Sequence, residues 1–120
     1  MTVRPPQAYR KQIADDPVTA ALEQEVLAEK AGTLARLNTK LEQALARIPD
    51  AVENASEDEQ RKRALRIAEA GEALWHVTIQ RELCGFLRHK AFFDHMGVPA
   101  AVRLSAGPVP EHLKAREKGK

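Results

Sequence analysis

The residues best suited to chemistry lie in one short stretch, residues 74–89, which reads LWHVTIQRELCGFLRH. It contains the only Trp and the only Cys of the chain, and two of its four His residues. Arg81 and Arg88 lie three and four residues from Cys84, on the same side of a helix, and two cations would favour a reactive thiolate. A lone Cys on an apolar helix face is more often a small buried hydrophobic residue. We therefore favour a structural Cys84 and keep the reactive thiol as the alternative.

His76 and Gln80 share another face of the same predicted helix. Glu72 precedes His76 by four residues, so the two side chains could supply two ligands to a metal. Carboxylate-bridged metal bundles instead use Glu-x-x-His on two helices, and the other long helical segment, residues 17–48, contains no His. The spacing favours a half-exposed, salt-bridged His76 over a metal ligand. We expect no metal and no cofactor.

Glu82 falls on an apolar side of this helix, beside Trp75 and Ile79. Burying a carboxylate without a partner is costly, so we expect Glu82 to meet a cation, with His89 two turns further along the same side. A structural ion pair is the favoured interpretation, and a proton-transfer role is the alternative. No residue is assigned a catalytic role, and the candidate functional cluster comprises His76, Gln80, Arg81, Glu82, Cys84, Arg88 and His89.

Two long helices are predicted to position these residues. Asp16 is a suitable N-cap and Pro17 suits the first position of the first helix. Pro49 ends this helix. Between them an apolar residue recurs every seven positions, as helix-to-helix packing requires: Leu27, Leu34, Leu41 and Ile48.

The second predicted helix begins with a capping box. Ser56 is the N-cap, and Glu59 follows three residues later. The helix should run from Glu57 towards Met96, where Gly97 is placed for a left-handed cap. The sequence leaves open whether the helix continues unbroken through Gly85.

The second helix is apolar on two faces. One face carries Leu65, Ala68, Trp75, Ile79, Leu83 and Phe86, and the roughly opposite face carries Ile67, Ala70, Leu74, Val77 and Cys84. Such a helix needs two neighbours, and the first helix supplies one. We expect a second copy to supply the other, so that an all-α, long antiparallel helical hairpin dimerises into a four-helix bundle. Residues 90–104 folding back, or a different protein, are the alternative covers.

Length and charge place limits on the organisation of the chain. At 120 residues, with 43% hydrophobic and 30% charged residues, it is one soluble domain. We expect an extended N-terminal arm over residues 1–15, a helical hairpin domain over 16–106, and a basic tail over 107–120 that is either a frayed helix or disordered. The net charge is +2, and it is unevenly distributed, because both ends of the chain are basic and its middle is acidic. We expect the basic ends to aid solubility, and we do not expect nucleic-acid binding.

Several classes of protein are disfavoured. A single Cys cannot form an internal disulfide, and no apolar segment is long enough to span a membrane, which favours the cytoplasm and no membrane partner. Residues 1–17 show no continuous apolar region of the kind found in a signal peptide. A phosphate-binding glycine loop, a Cys-x-x-Cys pair, a His-Glu-x-x-His motif and a nucleophile elbow are all missing, so an enzyme is the less favoured class.

A group of short motifs resembles a small family of uncharacterised bacterial proteins. These motifs are Glu72-Ala-Leu-Trp75, Gln80-Arg-Glu-Leu-Cys-Gly85, His89 and Val98-Pro99, with Arg4-Pro5-Pro6 and Glu29-Lys-Ala31 as further similarities. The similarity covers most of residues 18–104, and its most specific part is Gln-Arg-Glu-x-Cys-Gly. It implies a cytoplasmic, all-helical protein without an assigned activity, so no catalytic residue is carried over. The basic tail after Gly107 departs from the family.

The leading functional hypothesis is an interaction or structural homodimer, because every unusual residue lies within a predicted packing surface. An unidentified protein partner is compatible with the same surfaces. The alternative is a ligand- or metal-binding helical bundle, with or without catalysis, that uses the region of Glu82, Cys84 and His89.

Overall fold

Five helices make up the described part of the chain. The computed structural model describes residues 16–118, and side chains for residues 16–114. The helices are α1 (Pro17–Ala46), α2 (Glu57–Leu83), α3 (Lys90–Met96), α4 (Ala100–Leu104) and α5 (Glu111–Lys118). Within residues 16–118 there is no β-strand, which confirms the predicted all-α class. The predicted N-terminal arm, residues 1–15, lies outside the described residues.

The ends of α1 follow the predicted signals. Asp16 accepts a hydrogen bond from the backbone N–H of Val18 at 3.1 Å, and Pro17 occupies the first turn. The helix ends at Ala46, two residues before the predicted end at Ile48. The following segment, residues 47–56, turns the chain towards α2.

The capping box at the start of α2 is also confirmed. The Glu59 N–H donates to Ser56 Oγ at 3.2 Å, and the Ser56 N–H donates to Glu59 Oε1 at 3.4 Å. Two backbone donors that have no partner inside the helix are thereby satisfied.

The Ser56→Ala variant is expected to lower the free energy of unfolding by about 1 kcal/mol, because the Glu59 N–H loses its acceptor at the helix start. Urea denaturation followed by circular dichroism measures the loss. Ser56→Asp is the matched control, since a carboxylate can accept the same bond. Equal stability of the alanine and aspartate variants would contradict the cap's contribution.

The two long helices form the predicted antiparallel pair. Near their connection, Arg63 Nε donates to the carbonyl of Pro49 at 3.1 Å. At the other end, Gln80 Nε2 donates to the carbonyl of Lys30 at 3.2 Å. Cys84, the residue that follows the last residue of α2, contacts the same Lys30 carbonyl. Residues 17–29 of α1 therefore extend beyond the end of α2 by about 20 Å, at 1.5 Å per residue.

The prediction that α2 continues towards Met96 is wrong. The helix ends at Leu83, and Gly85 adopts a positive φ of 95°. The Phe86 N–H donates to the Arg81 carbonyl at 2.9 Å and the Gly85 N–H to the Glu82 carbonyl at 3.0 Å. This pair of bonds is a Schellman motif, which uses the left-handed glycine to end a helix and turn the chain. The turn sends residues 90–104 back along α2.

The returning segment forms the main core with α1 and α2. Gly97 adopts the predicted left-handed conformation between α3 and α4. After Gly97, Val98 and Val102 are buried against Leu74 and Val77, which are fully buried. A second copy is therefore not required over Leu74 and Val77, and the alternative cover, residues 90–104, is the one found. The remaining core residues are Leu41, Ala44 and Ala70, with Phe92, Phe93 and Met96 packed at the edge.

The segment after α4 covers a different part of α2. Val109 is buried against Leu65 and Ala68, and Leu113 of α5 packs beside them. The backbone N–H of Val109 also donates to Glu72 Oε2 at 3.0 Å. For residues 107–114 the sequence allowed either a frayed helix or a disordered tail. In the structure these residues pack against α2. In the described range, no helix is both long and apolar enough to cross a membrane.

Candidate functional site

Three of the predicted site residues, Arg81, Glu82 and His89, meet where α2 ends. We call this cluster the Arg81 corner and define it as Arg81, Glu82, Phe86, His89 and Phe92. The Schellman turn at Gly85 folds the chain so that side chains on both sides of the turn surround the half-buried Arg81. The motif Gln-Arg-Glu-x-Cys-Gly therefore encodes a helix end, and most of its side chains fix that end to neighbouring elements.

Arg81 contacts both sides of the turn. Its Nε donates to His89 Nδ1, and one Nη donates to the carbonyl of Arg88, each at 3.2 Å. Its guanidinium carbon lies 4.9 Å from the ring centroid of Phe86 and 4.2 Å from that of Phe92. These distances place the cation over two aromatic faces, an arrangement that adds attraction to the hydrogen bonds. One side chain thus joins α2, the turn and α3.

The ring of His89 has a defined tautomer in this arrangement. Because Arg81 can only donate, Nδ1 of His89 must accept, and the proton of the neutral ring is assigned to Nε2. Nε2 lies 3.3 Å from Glu82 Oε1, to which it donates. The expected partner of Glu82 is therefore present. The pair forms through the turn, since the two residues do not share one helix, and the Glu82 side chain is 54% exposed where burial was expected.

Cys84 contacts α1, whereas the two Arg side chains that could activate it have other surroundings. Its Sγ is 3.8 Å from the carbonyl of Lys30 and donates to it across the hairpin. Arg81 is occupied at the corner, and Arg88 is exposed to solvent. Arg88 follows the turn at Gly85, and the Arg81 guanidinium is directed to His89 and to the rings of Phe86 and Phe92. Cys84 and Gln80 instead bind the same carbonyl and join the end of α2 to α1.

The other predicted site residue, His76, lies outside the Arg81 corner. Its ring stacks on that of the adjacent Trp75 with the centroids 5.4 Å apart, and the side chain is exposed. Glu72, the second ligand of the hypothetical metal site, accepts the bond from Val109 instead. In the part of the chain that the structure describes, no group of three or more His, Cys, Asp or Glu residues is arranged to hold a metal ion.

A second polar network, which the sequence analysis missed, adjoins the corner. Asp94 accepts from Arg103 at 2.9 Å and from Lys90 at 3.3 Å. Arg103 also donates to the carbonyl of Val98 and lies over the ring of Phe93, 5.5 Å from its centroid. Lys90 and Asp94 are four residues apart, which is a signal for pairing on a helix. Arg103 could not have been placed there without knowing that α4 folds back.

The Asp94 network predicts an acid-sensitive contribution to stability. The hydrogen bond from Arg103, and then that from Lys90, lowers the pKa of Asp94 below its usual value. A depressed pKa in the folded state means that the stabilisation is present above the pKa of the unfolded chain and is lost as the pH falls through the folded value. Asp94→Asn is expected to lose less stability than the parent protein between about pH 5 and pH 2.

Urea denaturation at a series of pH values tests this expectation. Asp50→Asn, which removes an exposed carboxylate from the connection between the long helices, is the control and should follow the parent curve. Parallel curves for Asp94→Asn and the parent protein would contradict a contribution from this carboxylate. The effect is small because the Asp94 side chain is about half exposed.

Two apolar surfaces remain open to solvent near the end of α2. The first, which we call the overhang face, lies on the part of α1 that extends past α2 and consists of Val18, Leu22, Val26 and Leu27, each more than half exposed. Part of it lines a shallow concavity of about 420 Å³. The second, the Trp75 stripe, lies on α2 and consists of Trp75, Ile79 and Leu83, exposed by 38%, 44% and 59%. Phe86 and Leu87 continue the exposed apolar surface into the turn.

Comparison with known proteins identifies a family but no activity. No curated protein and no solved structure matches the chain. A family model does match, over residues 1–114, and it describes a family of unknown function, DUF6665. The predicted membership of an uncharacterised family with a helical fold is thus confirmed. The chain belongs to DUF6665, a family of unknown function.

Proposed function

We propose that this protein is a cytoplasmic interaction module that works as a homodimer, with the two long helices of each copy contributing to one four-helix assembly. The observation that carries the proposal is the pair of open apolar surfaces at one end of the hairpin, the overhang face and the Trp75 stripe. Scattered exposed apolar residues are normal, whereas apolar residues grouped on two neighbouring helices mark an interaction surface. The single Cys supports a reducing compartment.

The arrangement of the polar candidates favours this function over a ligand-binding one. His89 accepts from Arg81 and donates to Glu82, and Gln80 and Cys84 donate to the Lys30 carbonyl. A ligand at this place would have to compete with bonds that hold α2, α3 and α1 together. No catalytic residue is proposed.

The Leu22→Asp variant is expected to convert the dimer into a monomer, because it places a carboxylate in the middle of the overhang face, where a second copy would bury it without a partner. Size-exclusion chromatography with light scattering over a wide range of concentrations measures the mass. Circular dichroism checks that the helices persist.

Leu104→Asp is the matched control, since it introduces the same charge at a leucine that is 89% exposed on α4 and belongs to neither surface. It should dimerise as the parent protein does. A parent protein that is monomeric at every concentration would overturn the proposed homodimer. A dimer that Leu22→Asp leaves intact would exclude the overhang face as its interface.

A further inference from the structure

We infer that the two copies exchange their overhangs: the overhang face of each copy packs against the Trp75 stripe of the other. This inference rests on the proposed homodimer and adds the arrangement of its interface. It follows from the direction in which the two surfaces point, from their matching spacing and from their charges.

The overhang face is the continuation of a helix-packing surface. Further along α1, Leu34, Leu37 and Leu41 pack against the core formed with α2. Leu27 precedes Leu34 by seven residues, so it lies on nearly the same side of the helix. This side faces α2 wherever α2 is present, and α2 stops at Leu83. Leu27 therefore points into the space in line with α2, beyond its end. Val26, Leu22 and Val18 continue the overhang face from there around α1 at every fourth position, and this surface suits another helix.

The Trp75 stripe lies on the side of α2 that faces away from α1. Val77 is fully buried in the core between the long helices. Ile79 is two residues further, about 200° around the helix, and so lies on the side remote from α1. Val109 and Leu113 cover Leu65 and Ala68 on this remote side, and their cover stops short of the stripe. The stripe thus needs a helix on the far side of α2.

A single two-fold rotation places a helix of the second copy against both the overhang face and the Trp75 stripe. The overhang face points from α1 towards the line of α2 at Leu27, and the stripe points from α2 away from α1, so these parts of the two surfaces face the same direction. Rotation about an axis at the end of α2, perpendicular to the plane of the hairpin, reverses that direction. It brings the second copy's α2 into line with the first, end to end. Each overhang then lies along the stripe of the other copy, and the contact forms twice, as an isologous interface requires.

The spacing of the apolar residues fits this arrangement. The overhang presents an apolar residue at every fourth position, and so does the stripe: Val18, Leu22 and Val26 on one, Trp75, Ile79 and Leu83 on the other. The two segments run parallel after the rotation. With room left for the turn at Gly85 between the two α2 ends, Leu22 comes opposite Ile79 of the second copy.

Charge favours exchange over contact between two overhangs. Residues 16–29 contain Asp16, Glu23, Glu25 and Glu29 and no basic residue. If the overhangs of two copies packed against each other, their acidic residues would face one another with no basic residue of either segment between them. Residues 81–90 next to the stripe contain three basic residues and one acidic residue, and Arg88 among them is exposed. Opposite charges across an interface favour one pairing and disfavour the alternatives.

Cross-linking with a short bis-maleimide tests the pairing. All chains carry Cys84→Ser, so that only introduced thiols react. Chains with Leu22→Cys are mixed with chains with Ile79→Cys that differ in mass through a tag. We expect cross-linked dimers that contain one chain of each kind, and none when either variant is treated alone. Leu104→Cys mixed with Leu22→Cys is the control and should give no link.

The outcomes separate this inference from the proposed homodimer. Links between two Leu22→Cys chains, or between two Ile79→Cys chains, would overturn the exchange and leave a homodimer of another arrangement. A dimer by light scattering without the mixed link would also overturn the exchange. A monomer by light scattering would overturn both proposals.

Trp75 provides an independent readout, because it is the only Trp and lies in the stripe. Diluting the parent protein should shift its emission to longer wavelength over the same concentrations at which light scattering shows dissociation. An emission maximum that stays constant through dissociation would overturn the burial of the stripe.

Discussion

Replacing Gly71 with alanine is expected to lower the free energy of unfolding by about 3 kcal/mol. Gly71 lies within α2, where α4 crosses it. A Cβ at this position would lie 2.3 Å from the carbonyl oxygen of Ser105 and 2.7 Å from its carbonyl carbon. These are backbone atoms, so the clash is relieved only by moving the end of α4 away from α2. Such a movement also disturbs Val102, which is fully buried in the core.

Gly32→Ala is the matched control for this prediction. Gly32 also lies inside a helix, and a Cβ there would find only the end of the Arg36 side chain, at 3.5 Å. Alanine favours a helix over glycine by about 1 kcal/mol, so the control is expected to be stabilised. Urea denaturation of both variants at one protein concentration measures the difference. Equal effects of the two substitutions would show that α4 does not lie against Gly71.

The role of Gly71 was not visible in the sequence. A glycine within a helical pattern lowers helix propensity, and nothing in its neighbours indicates whether a second backbone lies against it. The contact depends on the return of α4, more than thirty residues later, and hence on the turn at Gly85. In contrast, Asp16 and Ser56 were recognised as caps because they act on backbone groups two or three residues away. Local chemistry was predictable, whereas long-range packing was not.

The turn at Gly85 explains most of the remaining differences. The apolar pattern of α2 continues through Leu83 and Phe86, and one glycine does not by itself exclude a helix. The helix ends there because residues 90–104 gain burial against Leu74 and Val77 when the chain turns back. Sequence reasoning recognised that this side of α2 needed a second neighbour, and it favoured another copy over the nearer candidate in the same chain. The side that remains open is the Trp75 stripe.

The candidate site shows the same division between residue choice and geometry. The pairing of Glu82 with His89 was expected from charge, because a carboxylate on an apolar face needs a partner. The geometry of the Glu82–His89 pair depends on the turn at Gly85. The sequence analysis instead assumed a straight helix, in which the Arg81 side chain lies beside Cys84. In the folded chain Arg81 points to the aromatic rings of Phe86 and Phe92 instead. Those rings flank the turn, so their common contact could not be read from helical spacing.

The Arg81 corner leads to the second large expected effect. Arg81→Met keeps much of the side-chain length but removes the charge and all donors. The hydrogen bonds to His89 and to the Arg88 carbonyl are lost, together with the attraction to two rings. We expect the free energy of unfolding to fall by about 2 kcal/mol, since each of these contacts contributes about 0.5–1.5 kcal/mol at a half-buried position. Arg81→Lys should recover part of the loss, because it restores the charge without the planar fork.

Arg88→Met provides the control, because Arg88 is exposed and the corner uses only its backbone carbonyl. Its stability should lie within about 0.5 kcal/mol of the parent protein. Hydrogen exchange locates the effect: in Arg81→Met, the amides of α3 and of the turn before it should exchange faster, while those in the middle of α1 keep their protection. Loss of protection spread evenly over all helices would mean that Arg81 stabilises the fold as a whole. Faster exchange confined to residues 84–96 would identify Arg81 as the side chain that holds the turn closed, and with it the surface on which the Trp75 stripe ends.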